Sequence, residues 1–286
     1  MRKQAERFIW QNARLLDRHL FAHLFAGGAR EPVLAALKAY QNPDGGFGNA
    51  LEPDIRCPQS QPVPTEMALK ILDYAGWDDA VARRACDWLE TITTPEGGVP
   101  YVLPSVMDYP RAPWWNPEEG LPATVNPTAG IAGMLHKHGV QHPWLERATA
   151  FCWQAIESGR DGEVHALMAV THFLEHVPDR ERAQRAFQPL AERIFAENLV
   201  ALDPGAAGYV KKPLDWAPTP DSICRPLFAG DVIAAHLQAL ADRQQAHGGW
   251  DISWPAISPA CHMEWRGWLT VEALRTLTAY GKGQAV

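Results

Sequence analysis

Three short loops with paired glycines constrain this chain more than any other feature. The first lies in QNPDGGFGNALEPDIRCPQSQPVPTEMAL, Gln41 to Leu69, between two helical patterns. Asn42-Pro43-Asp44-Gly45 is strong turn chemistry, because proline presets φ and glycine supplies φ > 0. Beyond the turn come an aromatic (Phe47), two acids (Glu52, Asp54) and a proline-punctuated stretch ending in Pro64-Thr65-Glu66. TTPEGGVPY from Thr93 and QQAHGGWDISW from Gln244 repeat the pattern in weaker form. If the three loops are equivalent, the chain is a series of helical hairpins whose long loops share one face.

The segments between the loops carry helical periodicity. Phe8, Ile9, Leu16, Leu20 and Leu24 give one apolar stripe over 3–26, stopped by Gly27 and Gly28. Further helices are predicted over 31–41, 64–74, 78–91 (capped by Asp78), 126–138, 143–157, 161–176 and 178–197. A short piece opened by Thr219-Pro220-Asp221 follows, then 229–245 and 262–280. No strand pattern appears. Two sets alternate. One begins near Glu6, Pro64, Asn126, Asp161, Thr219 and His262, the other near Glu31, Asp78, Pro143, Asp179 and Ala229. Long loops follow the second set, so they gather on one face with the N-termini of the first. The expected fold is all-α, an α/α toroid or (α/α)6 barrel, in a single domain over 1–286.

Composition narrows the classes of function. A net charge of -7 argues against general nucleic-acid binding, which needs a basic surface. No apolar run approaches the ~20 residues of a membrane span. The N-terminus carries charges within its apolar pattern and reads as a helix, not a signal peptide. Five dispersed cysteines, Cys57, Cys86, Cys152, Cys224 and Cys261, include no CxxC pair, which suits a reduced, cytoplasmic protein. Phosphate-loop, dinucleotide, GxSxG and HExxH signatures are absent. The partner expected is therefore a small molecule.

The predicted loop face carries acids at helix starts: Glu66, Asp161, Glu163, Asp221 and Glu264. His165, His262 and Arg266 lie close by in sequence. Acids also sit at helix starts simply to satisfy orphan N–H groups. Twelve tryptophans against six tyrosines is an unusual ratio. Trp88, Trp144 and Trp153 fall inside helices and suit packing, whereas Trp115, Trp216, Trp250, Trp254 and Trp265 fall in or near the long loops.

YQNPDGGFGN, with its proline-rich spacer and PTEMALKIL, resembles the glycine-rich repeat of protein prenyltransferase β subunits. QQAHGGWDISW is similar to the tryptophan-containing repeats of squalene and oxidosqualene cyclases. The resemblance covers Leu34 to Ile71 and Ile233 to Trp254. It implies an α/α toroid and an enzyme acting on an isoprenoid or similar apolar substrate, by acid-initiated or prenyl chemistry. In a cyclase, a protonated carboxylic acid starts the reaction and aromatic faces stabilise the cation. Asp221 and Glu264 are then the lead acids, with Glu163 beside them and His165, His262 and Arg266 orienting them. Trp115, Trp216, Trp250, Trp254 and Trp265 would line the substrate site, joined by Phe47, Glu52, Asp54 and Glu66. The cyclase DxDD run is absent; its nearest counterpart, DWAPTPDS, holds Asp215 and Asp221. Transferase chemistry would use zinc, for which Asp54 with Cys57, Asp221 with Cys224, and Cys261 with His262 are donors of suitable type. No metal is assigned, with zinc or magnesium as the alternative. Two other classes stay open: a carbohydrate-active (α/α)6 enzyme with a carboxylate pair such as Glu264 with Asp221 or Glu163, and a non-catalytic lipid- or peptide-binding toroid.

Overall fold

A computed structural model of the chain describes residues 1–159 and 163–282. Among them are twelve α-helices and no strand, so the all-α expectation holds. In order they are α1 (Arg2–Asn12), α2 (Leu15–Phe25), α3 (Glu31–Leu37), α4 (Pro62–Ala75), α5 (Asp79–Thr91), α6 (Val125–Lys137), α7 (Pro143–Glu157), α8 (Val164–His176), α9 (Arg180–Ala196), α10 (Pro213–Trp216), α11 (Gly230–Asp242) and α12 (Pro259–Ala279). Among the described residues no helix is long and apolar enough to cross a membrane. The chain divides into two compact units. One comprises Met1–Val33 with Pro189–Val286, the other Leu34–Gln188.

Helix limits follow local chemistry. Asp78 caps α5 by accepting from the N–H groups of Ala80 and Val81 at 3.1 and 3.2 Å. Ser258 caps α12 through the Cys261 N–H at 3.1 Å. The sequence departs from its predicted pattern at two places. The single helix expected over 3–26 breaks, because Ala13 is extended (φ -83, ψ 160) and Arg14 starts a new helix. Arg14 then turns its guanidinium onto Asp17 at 2.9 Å, and Asp17 is fully buried. The helix expected from Thr219 is also missing. Residues 219–224 form turns, and one 3-10 turn follows at Arg225–Leu227.

The three glycine loops prove equivalent bond for bond. In each, two backbone bonds close the turn. Asn42 N–H donates to Gly46 C=O at 2.9 Å and Gly45 N–H to Asn42 C=O at 3.0 Å. Thr94, Gly97 and Gly98 repeat this at 2.9 and 3.0 Å, and Gln245, Gly248 and Gly249 at 2.9 and 2.8 Å. The first glycine of each pair has φ near +100 (+100, +98, +97), which only glycine adopts without strain. Side chains there would also strike the backbone of Arg84, Arg147 and Gln4. The second glycine lies against an aromatic ring one helical turn further on: Trp88 in α5, Phe151 in α7, Phe8 in α1. The N–H that follows each pair, from Phe47, Val99 and Trp250, donates to a threonine hydroxyl on a helix: Thr65 (3.1 Å), Thr128 (3.0 Å) and Thr270 (3.1 Å).

This repeat reassigns the first helix. α1 does not belong with α4, α6 and α12, which carry the threonines. It packs on the last glycine loop as α5 and α7 pack on theirs. In the same unit, α2 and α1 both pack on α12. The cores are conventional. Phe47, Leu69, Ile71, Trp144 and Phe173 are fully buried in the middle unit, and Phe8, Ile9, Leu16, Leu20 and Phe21 in the terminal one. Each such side chain contributes about 1.5–3 kcal/mol of burial. Trp88, Trp144 and Trp153 are packing residues, as their helical positions predict.

Candidate functional site on α4, α6 and α8

Glu66, Lys70 and Asp73 are spaced i, i+4, i+7 and therefore share one face of α4. α6 packs against α4 and also against α8. It does so through glycines. The Glu66 carboxyl lies directly over Gly130, where any side chain would overlap its Oε1. One turn on, Gly133 lies against the backbone of His172, and a Cβ there would come within 2.8 Å of the His172 carbonyl oxygen. Glycines 130 and 133 thus let polar groups from α4 and α8 close on α6 at backbone distance.

Electrostatics along this face are strongly perturbed. Burial pushes the Glu66 carboxyl up to about 7, and the charge of Lys70 pulls it back only in part. Glu66 therefore keeps its proton to a higher pH than an ordinary carboxyl does. Asp73 behaves oppositely. Burial raises it, but hydrogen bonds and charge from Lys137 and His138 outweigh burial and hold it below the usual range. Lys137 Nζ donates to Asp73 Oδ2 at 2.8 Å, and His138 Nε2 lies 2.7 Å from Oδ1. The His138 ring stacks on Trp77 with centroids 3.9 Å apart and planes 6° from parallel.

α8 contributes His172, Glu175 and His176, all half-buried. One donor atom from each lies within 4.8 Å of the others. The two imidazoles meet edge to face, with centroids 4.9 Å apart. Burial, and then the neighbouring His176, lower His172 to about 3; burial, and then Lys137, lower His176 to about 4. Both rings are neutral at pH 7. The face so assembled offers a proton-bearing acid, two neutral imidazoles and an anchored carboxylate.

Sequence reasoning found Glu66 but placed it among substrate contacts, and it missed Lys70, Asp73, Lys137, His138, His172, Glu175 and His176. A signal was present in HFLEH, His172 to His176, an H-x-x-E-H spacing that sets two histidines one turn apart on a helix. The α4 trio was legible as a polar i, i+4, i+7 stripe on an otherwise apolar helix.

The other expected site residues fall elsewhere. Glu163 is exposed and caps α8, accepting from the N–H groups of His165 (3.1 Å) and Ala166 (3.3 Å). His165 Nδ1 also lies 2.8 Å from it, and these bonds outweigh desolvation and hold Glu163 below its ordinary value. Asp161 lies outside the described residues. Phe47, Glu52 and Asp54 are buried within the first loop. Trp115 is buried, with its ring 4.8 Å from Tyr101. In the terminal unit Asp221 is exposed on a turn, and Glu264 is half-buried on α12. His262 and Arg266 both approach Asp251, at 3.1 and 2.9 Å, and Arg266 also meets His247 and lies over the Phe8 ring. Trp216 and Trp250 are buried, and Trp250 Nε1 donates to the Leu240 carbonyl at 2.8 Å. Trp254 stands edge-on to Trp265 (5.2 Å) and to the exposed Tyr209 (5.7 Å). Cys57 Sγ donates to Gln59 Oε1 at 3.0 Å, and all five cysteines are buried and outside any disulfide. Among the described residues, His172, Glu175 and His176 are the group of three that gathers as metal ligands would; the cysteine-containing pairs do not form one.

No family model matches the chain, and no curated protein matches it.

Proposed function

We propose that the protein is an enzyme in which the Glu66 carboxyl acts as general acid on an isoprenoid or similarly apolar small molecule. One observation carries this reading: a half-buried carboxyl seated on Gly130 and shifted to about 7. A general acid works best when its pKa lies near the working pH, because it is then both protonated and able to give the proton up. Asp221, named for that role from the sequence together with Glu264, is exposed on a turn. The three equivalent glycine loops support the isoprenoid resemblance and the α/α-toroid fold that goes with it.

The decisive experiment pairs binding with turnover. Thermal stability is measured against polyprenols, their diphosphates and common oligosaccharides. A ligand at ~100 times its Kd adds about 2.7 kcal/mol, a shift of several degrees. Any stabilising polyprenyl compound is then incubated with the protein and with Glu66→Gln, and products are followed by mass spectrometry. The expected result is that Glu66→Gln still binds but forms no product. Product formation by that variant would remove Glu66 from the chemistry.

A second reading rests on the cluster of Tyr209, Trp254 and Trp265. Aromatic faces at a partly exposed site also stack on sugar rings, as a carbohydrate-active enzyme requires. Stabilisation by oligosaccharides alone favours it. Binding without turnover of either class points to a carrier.

A further inference from the structure

The geometry points to a binding site for one divalent transition-metal ion at His172, Glu175 and His176. An α-helix advances 100° per residue, so positions i, i+3 and i+4 fall within a ~100° arc on one side of α8. Three donors of complementary type therefore converge from fewer than two turns of one helix. Their donor atoms already lie within 4.8 Å of one another, so small side-chain rotations bring them to a shared ion. The approach of α6 fixes the helix that carries them, since Gly133 seats the His172 backbone.

Two imidazole nitrogens and one carboxylate oxygen suit zinc or ferrous iron better than calcium or magnesium, which take all-oxygen sets. Three protein donors leave at least one coordination position open, the arrangement of a catalytic rather than a structural ion. That position accepts water or an anionic oxygen of a ligand. Lys137, the nearby cation, has its charge offset by Asp73, which it contacts at 2.8 Å. The site stands independently of the role given to Glu66.

The test uses the full chain, stripped with chelator and titrated with zinc and with cobalt(II). The expected result is one equivalent bound, visible d–d bands from bound cobalt, and a rise in Tm with zinc. The double variant His172→Asn/His176→Asn should lose at least 100-fold in affinity while keeping its helical circular dichroism. Glu175→Gln, which keeps both imidazoles, should weaken binding 10–100-fold and decides the matter if the double variant fails to fold. Glu66→Gln should bind zinc as the parent does. Failure of the parent to bind, equal affinity in Glu175→Gln, equal affinity in a folded double variant, or loss of binding in Glu66→Gln would each overturn the site.

Discussion

The carboxyl of Glu66 rests on the bare backbone of Gly130. The glycine is not needed for its own conformation, which is helical; it is needed because Oε1 occupies the place where a side chain would begin. Gly130→Ala should therefore push the carboxyl off α6 toward water, and its pKa should fall from about 7 toward 4.5. An NMR titration of the Glu66 carboxyl reads this directly. A midpoint that stays near 7 in the variant would show that the enclosure has another origin.

The same shift makes stability depend on pH. The unfolded chain holds Glu66 at its ordinary 4.5, and the folded chain holds it at about 7. Below 4.5 both states are protonated and nothing is lost. As pH rises from 4.5 to 7 the unfolded state sheds a proton that the folded state keeps, so stability falls, and the loss is complete above 7. At 1.36 kcal/mol per unit the ceiling is roughly 3 kcal/mol, less whatever solvent reaches this half-buried side chain. Glu66→Gln lacks the window. Denaturant curves should show the variant gaining on the parent between pH 4 and 8, and a constant difference would contradict the shift.

Asp73 gives the opposite sign. Its folded value is depressed, so its contribution is present above the usual carboxylate range and is lost as pH falls through the folded value. Asp73→Asn should cost about 1.5–3 kcal/mol at pH 7, since it removes charge-assisted bonds to Lys137 and His138. At an acid pH below that folded value the two proteins should converge. Urea midpoints at the two pH values make the comparison.

Thr65, Thr128 and Thr270 each accept a buried backbone N–H. Replacing any of them by valine keeps the shape and strands that donor, at about 1–3 kcal/mol each. The three sites lie in separate repeats, so the losses should be similar. Calorimetry on the three variants tests the equivalence, and one neutral substitution would break it.

Asp17 is fully buried and takes both Arg14 Nε (2.9 Å) and a terminal guanidinium nitrogen (3.2 Å). Gly267 on α12 leaves it room, since a Cβ there would stand 3.1 Å from Oδ2. Asp17→Ala breaks this buried ion pair and should cost about 3–5 kcal/mol in thermal or chemical denaturation. Had 3–26 been one helix with Asp17 on its surface, the cost would be within about 0.5 kcal/mol.

Legibility in the sequence followed range. Turns at Asn42, Thr94 and Gln245, the cap at Asp78 and the helix from Pro143 are decided by residues within a few positions, and they were read correctly. The break at Ala13 was not, because its cause is a buried pair and a contact with α12, far along the chain. The glycine pairs were visible, but their partners were not: Trp88, Phe151 and Phe8 meet them only in the folded chain. The acids at helix starts look alike in sequence. Burial separates them, leaving Glu163 as a cap and Glu66 as a shifted acid, and burial is a property of neighbours such as Gly130.

The position of α1 has a consequence for the order in which the protein takes shape. Phe8 is synthesised some 240 residues ahead of Gly248, Gly249 and α12, which cover it. The middle unit, Leu34–Gln188, is contiguous and complete long before then. α1 must therefore wait, apolar face uncovered, while the residues between it and the last glycine loop are made. A chain cut short before Gln244 leaves α1 permanently without this cover, so truncation there exposes an apolar segment far away in sequence.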